Sequence, residues 1–198
     1  MTPAAILTGG RATRLGGIEK CLAPLGDGVV LDAIIRILTL QAHPILINSN
    51  GAPDMFSCFG TEVRRDVLAG YLGPMAGLPT AMHWARRLGA THVITVPGDT
   101  PFLPLDLVIR LQAAKIGERP VIAASDDGLY PVIGLWPVCL ATTLEADLSA
   151  GVRAVHRWAA GQVATVVTFA AGNAHPFANL NTPEDLARAQ MRANTRNR

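Results

Sequence analysis

Ala4-Ala5-Ile6-Leu7-Thr8-Gly9-Gly10-Arg11-Ala12-Thr13-Arg14-Leu15-Gly16-Gly17-Ile18-Glu19-Lys20 lies near the start of the chain. Residues 4–8 are apolar and halt at two glycines, so they read as a buried strand. Four glycines fall between Gly9 and Gly17, and without side chains they let backbone N–H groups come close to a ligand. Arg11, Arg14 and Lys20 add positive charge; Lys20 is one of only two lysines, the other being Lys115. Glycine backbone beside cations suits a triphosphate. A surface loop with solvated arginines is the plainer alternative. No Gly-Lys-Ser/Thr completes a Walker A loop. No Gly-x-Gly-x-x-Gly appears either, which disfavours a dinucleotide-dependent dehydrogenase.

Beyond this stretch, strands and helices alternate. Apolar spacing predicts helices over residues 31–41, 76–88, 105–114, 140–149, 153–160 and 182–193. Strands are predicted over residues 44–48, 63–65, 91–96, 120–124, 130–135 and 163–169. The last helix is the best signposted: Thr182 can be its N-cap, Pro183 sits at the first turn, and Glu184 and Asp185 place negative charge there. This alternation predicts an α/β fold, three-layered, with a mostly parallel sheet and helices on both faces. The 198 residues fit one domain, 1–198, with residues 194–198 as a polar frayed tail.

Composition narrows the class. There are 17 basic and 15 acidic side chains, a formal net charge of +2, so no basic face of the kind nucleic acids require is implied. Apolar residues make up 49% and charged residues 16%, a balance that excludes intrinsic disorder. The three cysteines, Cys21, Cys58 and Cys139, are far apart and lack Cys-x-x-Cys spacing, so neither a disulfide framework nor a structural zinc site is implied. The N-terminus has no basic region followed by a long apolar one, hence no signal peptide. Residues 128–144 are uncharged but interrupted by Pro131, Gly134 and Pro137, too broken for a membrane span. A reducing cytoplasmic location fits these features.

In open α/β sheets ligands bind at the carboxyl ends of strands. A second stretch answers that rule: Val96-Pro97-Gly98-Asp99-Thr100-Pro101-Phe102 follows the strand at 91–96. A carboxylate at Asp99 is placed to bind Mg²⁺ carrying phosphate oxygens. The alternative is a turn aspartate bonded to its own backbone. Asp66 also follows a short strand and could aim at the same crevice.

Four motifs in order resemble one family. They are Leu7-Thr8-Gly9-Gly10-x6-Gly17-x2-Lys20, Gly73-Pro74-Met75-Ala76-Gly77, Pro97-Gly98-Asp99-Thr100-Pro101-Phe102 and Asn179-Leu180-Asn181-Thr182-Pro183-Glu184-Asp185-Leu186. Together they are similar to the molybdenum cofactor guanylyltransferases of the MobA type, over roughly residues 4–190. The resemblance implies a Rossmann-like nucleotidyltransferase fold and transfer of GMP from GTP to Mo-molybdopterin, with release of pyrophosphate. It implies nucleotide binding by residues of about 1–100 and a molybdopterin and partner side over about 101–193. Leu7, Thr8, Gly9 and Gly10 would line the guanine site, and Lys20 would contact the triphosphate. Asn50 and Asp66 would hold the nucleoside, and Gly77 would lie against the nucleotide. Asp99 would bind Mg²⁺ and phosphates, and Asn179 and Asn181 would face the molybdopterin. Arg14 joins Lys20 and Asp99 as a catalytic candidate from its charge and position. Molybdoenzyme apoproteins or other cofactor-biosynthesis proteins are the implied partners.

Some residues depart from the family pattern. Thr8 stands where Ala is more frequent, Cys21 follows Lys20 in place of a small residue, Tyr130-Pro131 replaces His-Pro, and Gly26-Asp27-Gly28 lengthens a turn. The phosphate chemistry is untouched. A terminal phosphate is already anionic at neutral pH, so the reaction requires alignment and charge neutralisation rather than a general base. The competing readings are a molybdopterin cytidylyltransferase, a sugar-phosphate nucleotidyltransferase, and a non-catalytic nucleotide-binding module that delivers cofactor.

Overall fold

The computed structural model describes residues 1–9, 14–15, 18–68, 75–170 and 175–196. In chain order the first elements are β1 (Ala4–Leu7), β2 (Arg14–Leu15), β3 (Ile18–Glu19), β4 (Pro24–Leu25), β5 (Gly28–Val29) and α1 (Val30–Thr39). Next come β6 (Ile45–Asn48), β7 (Glu62–Arg64), α2 (Gly77–Arg87), β8 (His92–Pro97) and α3 (Leu107–Ala113). The chain continues through β9 (Val121–Ser125), β10 (Gly128–Pro137), α4 (Ala141–Ser149), α5 (Val155–Gly161), β11 (Thr165–Thr168) and α6 (Pro183–Arg196).

A seven-stranded sheet, in the order β11-β9-β10-β8-β1-β6-β7, forms the middle layer. β1 runs parallel to β6 and β8, β6 to β7, and β9 to β11; β10 is antiparallel to both its neighbours. β2 with β3 and β4 with β5 make two small antiparallel ladders outside it. Short apolar runs become strands here because both faces of the sheet are covered, so every side chain, not alternate ones, meets apolar neighbours. Ala4 and Ile6 face a core shared with Leu31, Ile34 and Leu38 of α1, Leu107 and Leu111 of α3, and Ala189 of α6. Ala5 and Leu7 face the opposite core, with Leu78 and Met82 of α2, Leu144 of α4 and Trp158 of α5. Each buried Leu or Ile contributes about 1.5–3 kcal/mol over its exposed state. The predicted three-layer α/β architecture is therefore the one observed.

Element ends differ from the sequence reading by a residue or two, with three larger departures. β10 is ten residues long, against the six predicted over residues 130–135. Its pairing with β9 shifts register between Tyr130 and Gly134. Pro131 has no N–H for a ladder, and a bulge accommodates it. The tail expected at 194–198 is helical as far as Arg196, because Ala189 is buried and Leu186 and Ala193 pack on the core beneath it. Finally, 3-10 turns at Lys20–Leu22 and Pro53–Phe59 carry no apolar period long enough to be read from sequence. Among the described residues no helix is long and apolar enough to cross a membrane.

Candidate active site

Parallel pairing decides which residues meet. Leu7, the last residue of β1, is in register with Asn48 of β6 and Pro97 of β8. The residues that follow, Thr8-Gly9, Ser49-Asn50 and Gly98-Asp99, leave the sheet side by side at its carboxyl edge. The Thr8 N–H and hydroxyl both donate to the Asn48 carbonyl, at 2.9 and 3.0 Å. The Gly98 N–H donates to the Leu7 carbonyl at 2.9 Å. A Cβ on Gly98 would lie 2.8 Å from Thr8 Cγ2 and 3.2 Å from Thr8 Cα, so glycine is what lets these two loops touch.

A cavity of about 420 Å³ opens above this edge. Leu7, Thr8 and Gly9 line one side, Lys20 and Cys21 another, Gly98 and Asp99 the base, and Leu129 to Ile133 of β10 the far wall, with Asn179 closing it. Lys20 Nζ lies 3.6 Å from Asp99 Oδ2, and the two side chains are only 14% and 23% exposed. Burial pushes the Asp99 carboxyl above its ordinary range, against the opposing pull of Lys20. Lys20 Nζ also donates to Asn181 Oδ1 at 2.6 Å. The Thr100 hydroxyl donates to Asn179 Oδ1 at 2.8 Å, and the Leu180 N–H to the Asp99 carbonyl at 3.0 Å.

Beside Gly9 stands a polar cluster. Asn50 Nδ2 donates to Asp66 Oδ2 at 2.8 Å, and the Asp66 N–H returns a bond to Asn50 Oδ1 at 3.0 Å. Asn48 Nδ2 donates to Asp66 Oδ1 at 3.0 Å and to the Arg64 carbonyl at 3.2 Å. A Cβ on Gly9 would be 3.9 Å from Asn50 Nδ2, so the cluster adjoins the glycine turn. Gly77, the first residue of α2, packs so closely that a side chain there would run into Asn48 Oδ1 and come within 3.0 Å of Leu7 Cδ2.

The far wall is apolar, apart from Tyr130. Its hydroxyl donates to Asp127 Oδ2 at 2.6 Å and its ring tilts against Phe177 with centroids 5.0 Å apart. Burial and the Asp127 carboxylate push the phenol up to about 12. Cys21 is buried, and that burial, with Glu19, pushes its thiol up to about 12.

The structure thus gathers Leu7, Thr8, Gly9, Lys20, Asp99 and Asn179 at one cavity, with Asn181 on Lys20. Asn50, Asp66 and Gly77 stand along the sheet edge beside Gly9 and Leu7. Gly10 lies outside the described residues, as do Gly73 and Pro74. Arg14 is placed by the backbone pairing of β2 with Glu19 of β3, and its side chain lies outside what is described. Asn48 was not singled out from sequence, and Thr100 entered only within the motif around Asp99. Asn48 had a signal, a polar residue ending an apolar strand that is 1% exposed once folded. Of the β10 wall, only Tyr130-Pro131 had drawn notice, as a departure from the family pattern. No cluster of three or more His, Cys, Asp or Glu side chains suited to a metal occurs among the described residues. One carboxylate completed by substrate phosphates and water is, however, a donor set that Mg²⁺ accepts. Asp99 therefore fits such an ion.

The chain is similar to known proteins over nearly its whole length. Residues 4–177 match the MobA-like NTP transferase domain. A molybdenum cofactor guanylyltransferase from Rhizobium meliloti (strain 1021) is 42% identical over 197 residues, covering 95% of this chain and 90% of the relative. The solved molybdopterin-guanine dinucleotide biosynthesis protein A from Archaeoglobus fulgidus superposes with a TM-score of 0.75 at 21% identity, covering 98% of this chain and 100% of that one. A protein from Mycobacterium tuberculosis H37Rv, solved in complex with manganese, gives a TM-score of 0.66 at 17% identity, covering 96% and 97% of the two chains.

Proposed function

This chain belongs to the family of MobA-like NTP transferases and is a nucleotidyltransferase, and on that premise we propose that it transfers GMP from GTP to Mo-molybdopterin. The products are molybdopterin guanine dinucleotide and pyrophosphate. The observation that carries the reading is the meeting of Lys20 and Asp99, 3.6 Å apart, at a cavity edged by the backbone of Leu7, Thr8 and Gly9.

The chemistry needs little beyond placement. An oxygen of the molybdopterin terminal phosphate attacks the α-phosphorus of GTP; the bond from that phosphorus to the bridging oxygen breaks, and pyrophosphate leaves with the electron pair. The nucleophile is already ionised, so no side chain need remove a proton. Repulsion between two polyanions is the obstacle, and charge neutralisation with alignment overcomes it. Leu7, Thr8 and Gly9 present backbone to the guanine, a role the family motif extends to Gly10, and Asn50 and Asp66 hold the nucleoside. Gly77 keeps α2 close against that edge. Lys20, with Arg14, offsets charge on the triphosphate. Asp99 would hold Mg²⁺, which when bound neutralises phosphate charge; the manganese complex of the mycobacterial protein supports a divalent ion in this fold. Residues of about 1–100 serve the nucleotide, and those of about 101–193, with Asn179, serve the molybdopterin. The product would pass to molybdoenzyme apoproteins or other cofactor-biosynthesis proteins, in the cytoplasm.

The test is pyrophosphate release from GTP, with ATP, CTP and UTP in parallel, in the presence of Mg²⁺ and molybdopterin. Release with GTP alone, requiring both pterin and metal, is the expected result. Release with CTP instead overturns the base assignment. Nucleotide binding without release with any of the four overturns the transferase chemistry in favour of cofactor delivery.

A further inference from the structure

Asn181 does not stand apart from the nucleotide side of the cavity. Its side-chain oxygen accepts a 2.6 Å bond from Lys20 Nζ across 161 positions of sequence. Three consecutive residues fasten this segment to the phosphate machinery. Asn179 accepts from Thr100, Leu180 donates its N–H to the Asp99 carbonyl, and Asn181 accepts from Lys20. The segment is itself anchored. Leu180 is buried in the core at 3% exposure. The Asn181 and Thr182 N–H groups donate to Asp185 Oδ2 at 3.0 and 2.9 Å, and the Asp185 N–H donates to the Thr182 hydroxyl at 3.1 Å. These bonds cap α6, so the backbone of Asn181 is held independently of its side chain.

Building on the function proposed above, we infer that Asn181 is a positioning residue that acts through Lys20, holding the ammonium beside Asp99 where a nucleotide phosphate arrives. A lysine ammonium has three N–H donors and a flexible stem. Asn181 fixes one donor and the Asp99 carboxylate attracts the ammonium from 3.6 Å, which leaves donor capacity for phosphate. Without Asn181 the stem regains rotamer freedom that binding must then remove. A neutral amide is well suited here, because it holds the cation without adding negative charge beside a triphosphate. On this account Asn181 governs the GTP step, whereas the family resemblance alone places it toward the molybdopterin. It also makes α6 a brace for the catalytic lysine.

The experiment is a double-mutant cycle on nucleotide binding. GTP with Mg²⁺ is titrated calorimetrically, without molybdopterin, into the wild-type chain, Asn181→Ala, Lys20→Met and the double variant. The rotamer freedom that Lys20 regains, and that binding must remove, predicts roughly tenfold weaker GTP binding for Asn181→Ala. In the Lys20→Met background the same change should add nothing. In turnover at saturating molybdopterin, Asn181→Ala should raise KM for GTP. Independent, multiplying losses in the double variant overturn the inference, as does a rise confined to the molybdopterin KM. If Asn181→Ala melts too low to assay, Asn181→Ser, too short to span the contact, enters the same cycle. A wild-type chain that binds CTP and not GTP breaks the guanine assignment alone, and the cycle run with CTP still decides the coupling. A chain that binds neither removes both.

Discussion

At the scale of single residues, Asp99 and Cys21 show how burial in one cavity raises the pKa of two neighbouring acids that differ in their partners. Asp99 keeps Lys20 as a partner, so its carboxylate has a cation to meet although burial opposes its ionisation. Asp99→Ala removes the carboxylate and keeps the backbone carbonyl that holds Leu180. Pyrophosphate release should fall by about a hundredfold or more. The melting temperature should stay near wild type, because a carboxylate opposed by burial is lost. A variant with undiminished kcat would remove Asp99 from the reaction. Burial and the neighbouring Glu19 push the Cys21 thiol up to about 12. At pH 8 the thiolate, the reactive form, is a very small fraction of Cys21. Iodoacetamide at that pH should therefore label the exposed Cys58 in the folded protein and spare Cys21, as peptide mass spectrometry can read. Rapid labelling of Cys21 would show that the cavity wall opens.

At the scale of elements, helix ends and one strand bulge set the outline of the site. α2 begins at Gly77 directly against Leu7 of β1 and Asn48 of β6, where no Cβ fits without displacing the Asn48 amide. That amide in turn holds Asp66 at 3.0 Å. Gly77→Ala should thus destabilise the fold by about 1–3 kcal/mol, as overpacking does. It should also weaken nucleotide binding, because the displaced Asn48 loosens Asp66 and Asn50. Urea unfolding together with a GTP titration checks both effects; a variant as stable and as tight as wild type would mean that α2 shifts freely. β10 acts differently. Its bulge around Pro131 carries Leu129 and Tyr130 over the cavity, and the Tyr130–Asp127 bond with the Phe177 contact holds the ring in place.

At the scale of the whole molecule, the sheet interleaves early and late parts of the chain. β8, whose end carries Asp99, pairs with β10, and the loop before α6 returns to both Asp99 and Lys20. Neither the first hundred residues nor the rest can lose its strands without exposing the other's core. Thermal unfolding should accordingly be one cooperative transition across residues 1–198. Mg²⁺ with GTP at a hundred times its Kd should stabilise that entire transition by about 2.7 kcal/mol. Calorimetry showing two transitions, only one of them moved by nucleotide, would divide the chain into separate units.

Much of this was legible in the chain itself, for physical reasons. Apolar runs ended by glycine or proline fixed the strands, because a doubly covered sheet leaves no polar face to interrupt them. Thr182, Pro183 and Asp185 marked the start of α6 through capping, a local property. Glycines beside Lys20, and an aspartate past a strand's end, marked turns whose residues Gly9, Lys20 and Asp99 border one cavity, because such turns depend on short-range backbone geometry. The family-level motifs reached Asn179 and Asn181 as well. The sequence could not show that Asn181 sits on Lys20, that Asn48 braces Asp66, or that β10 bulges into the cavity wall. Those contacts join residues up to 161 positions apart. They exist only once strand order and register have brought the carboxyl ends of β1, β6 and β8 together, which is a property of the packed sheet and of no segment within it.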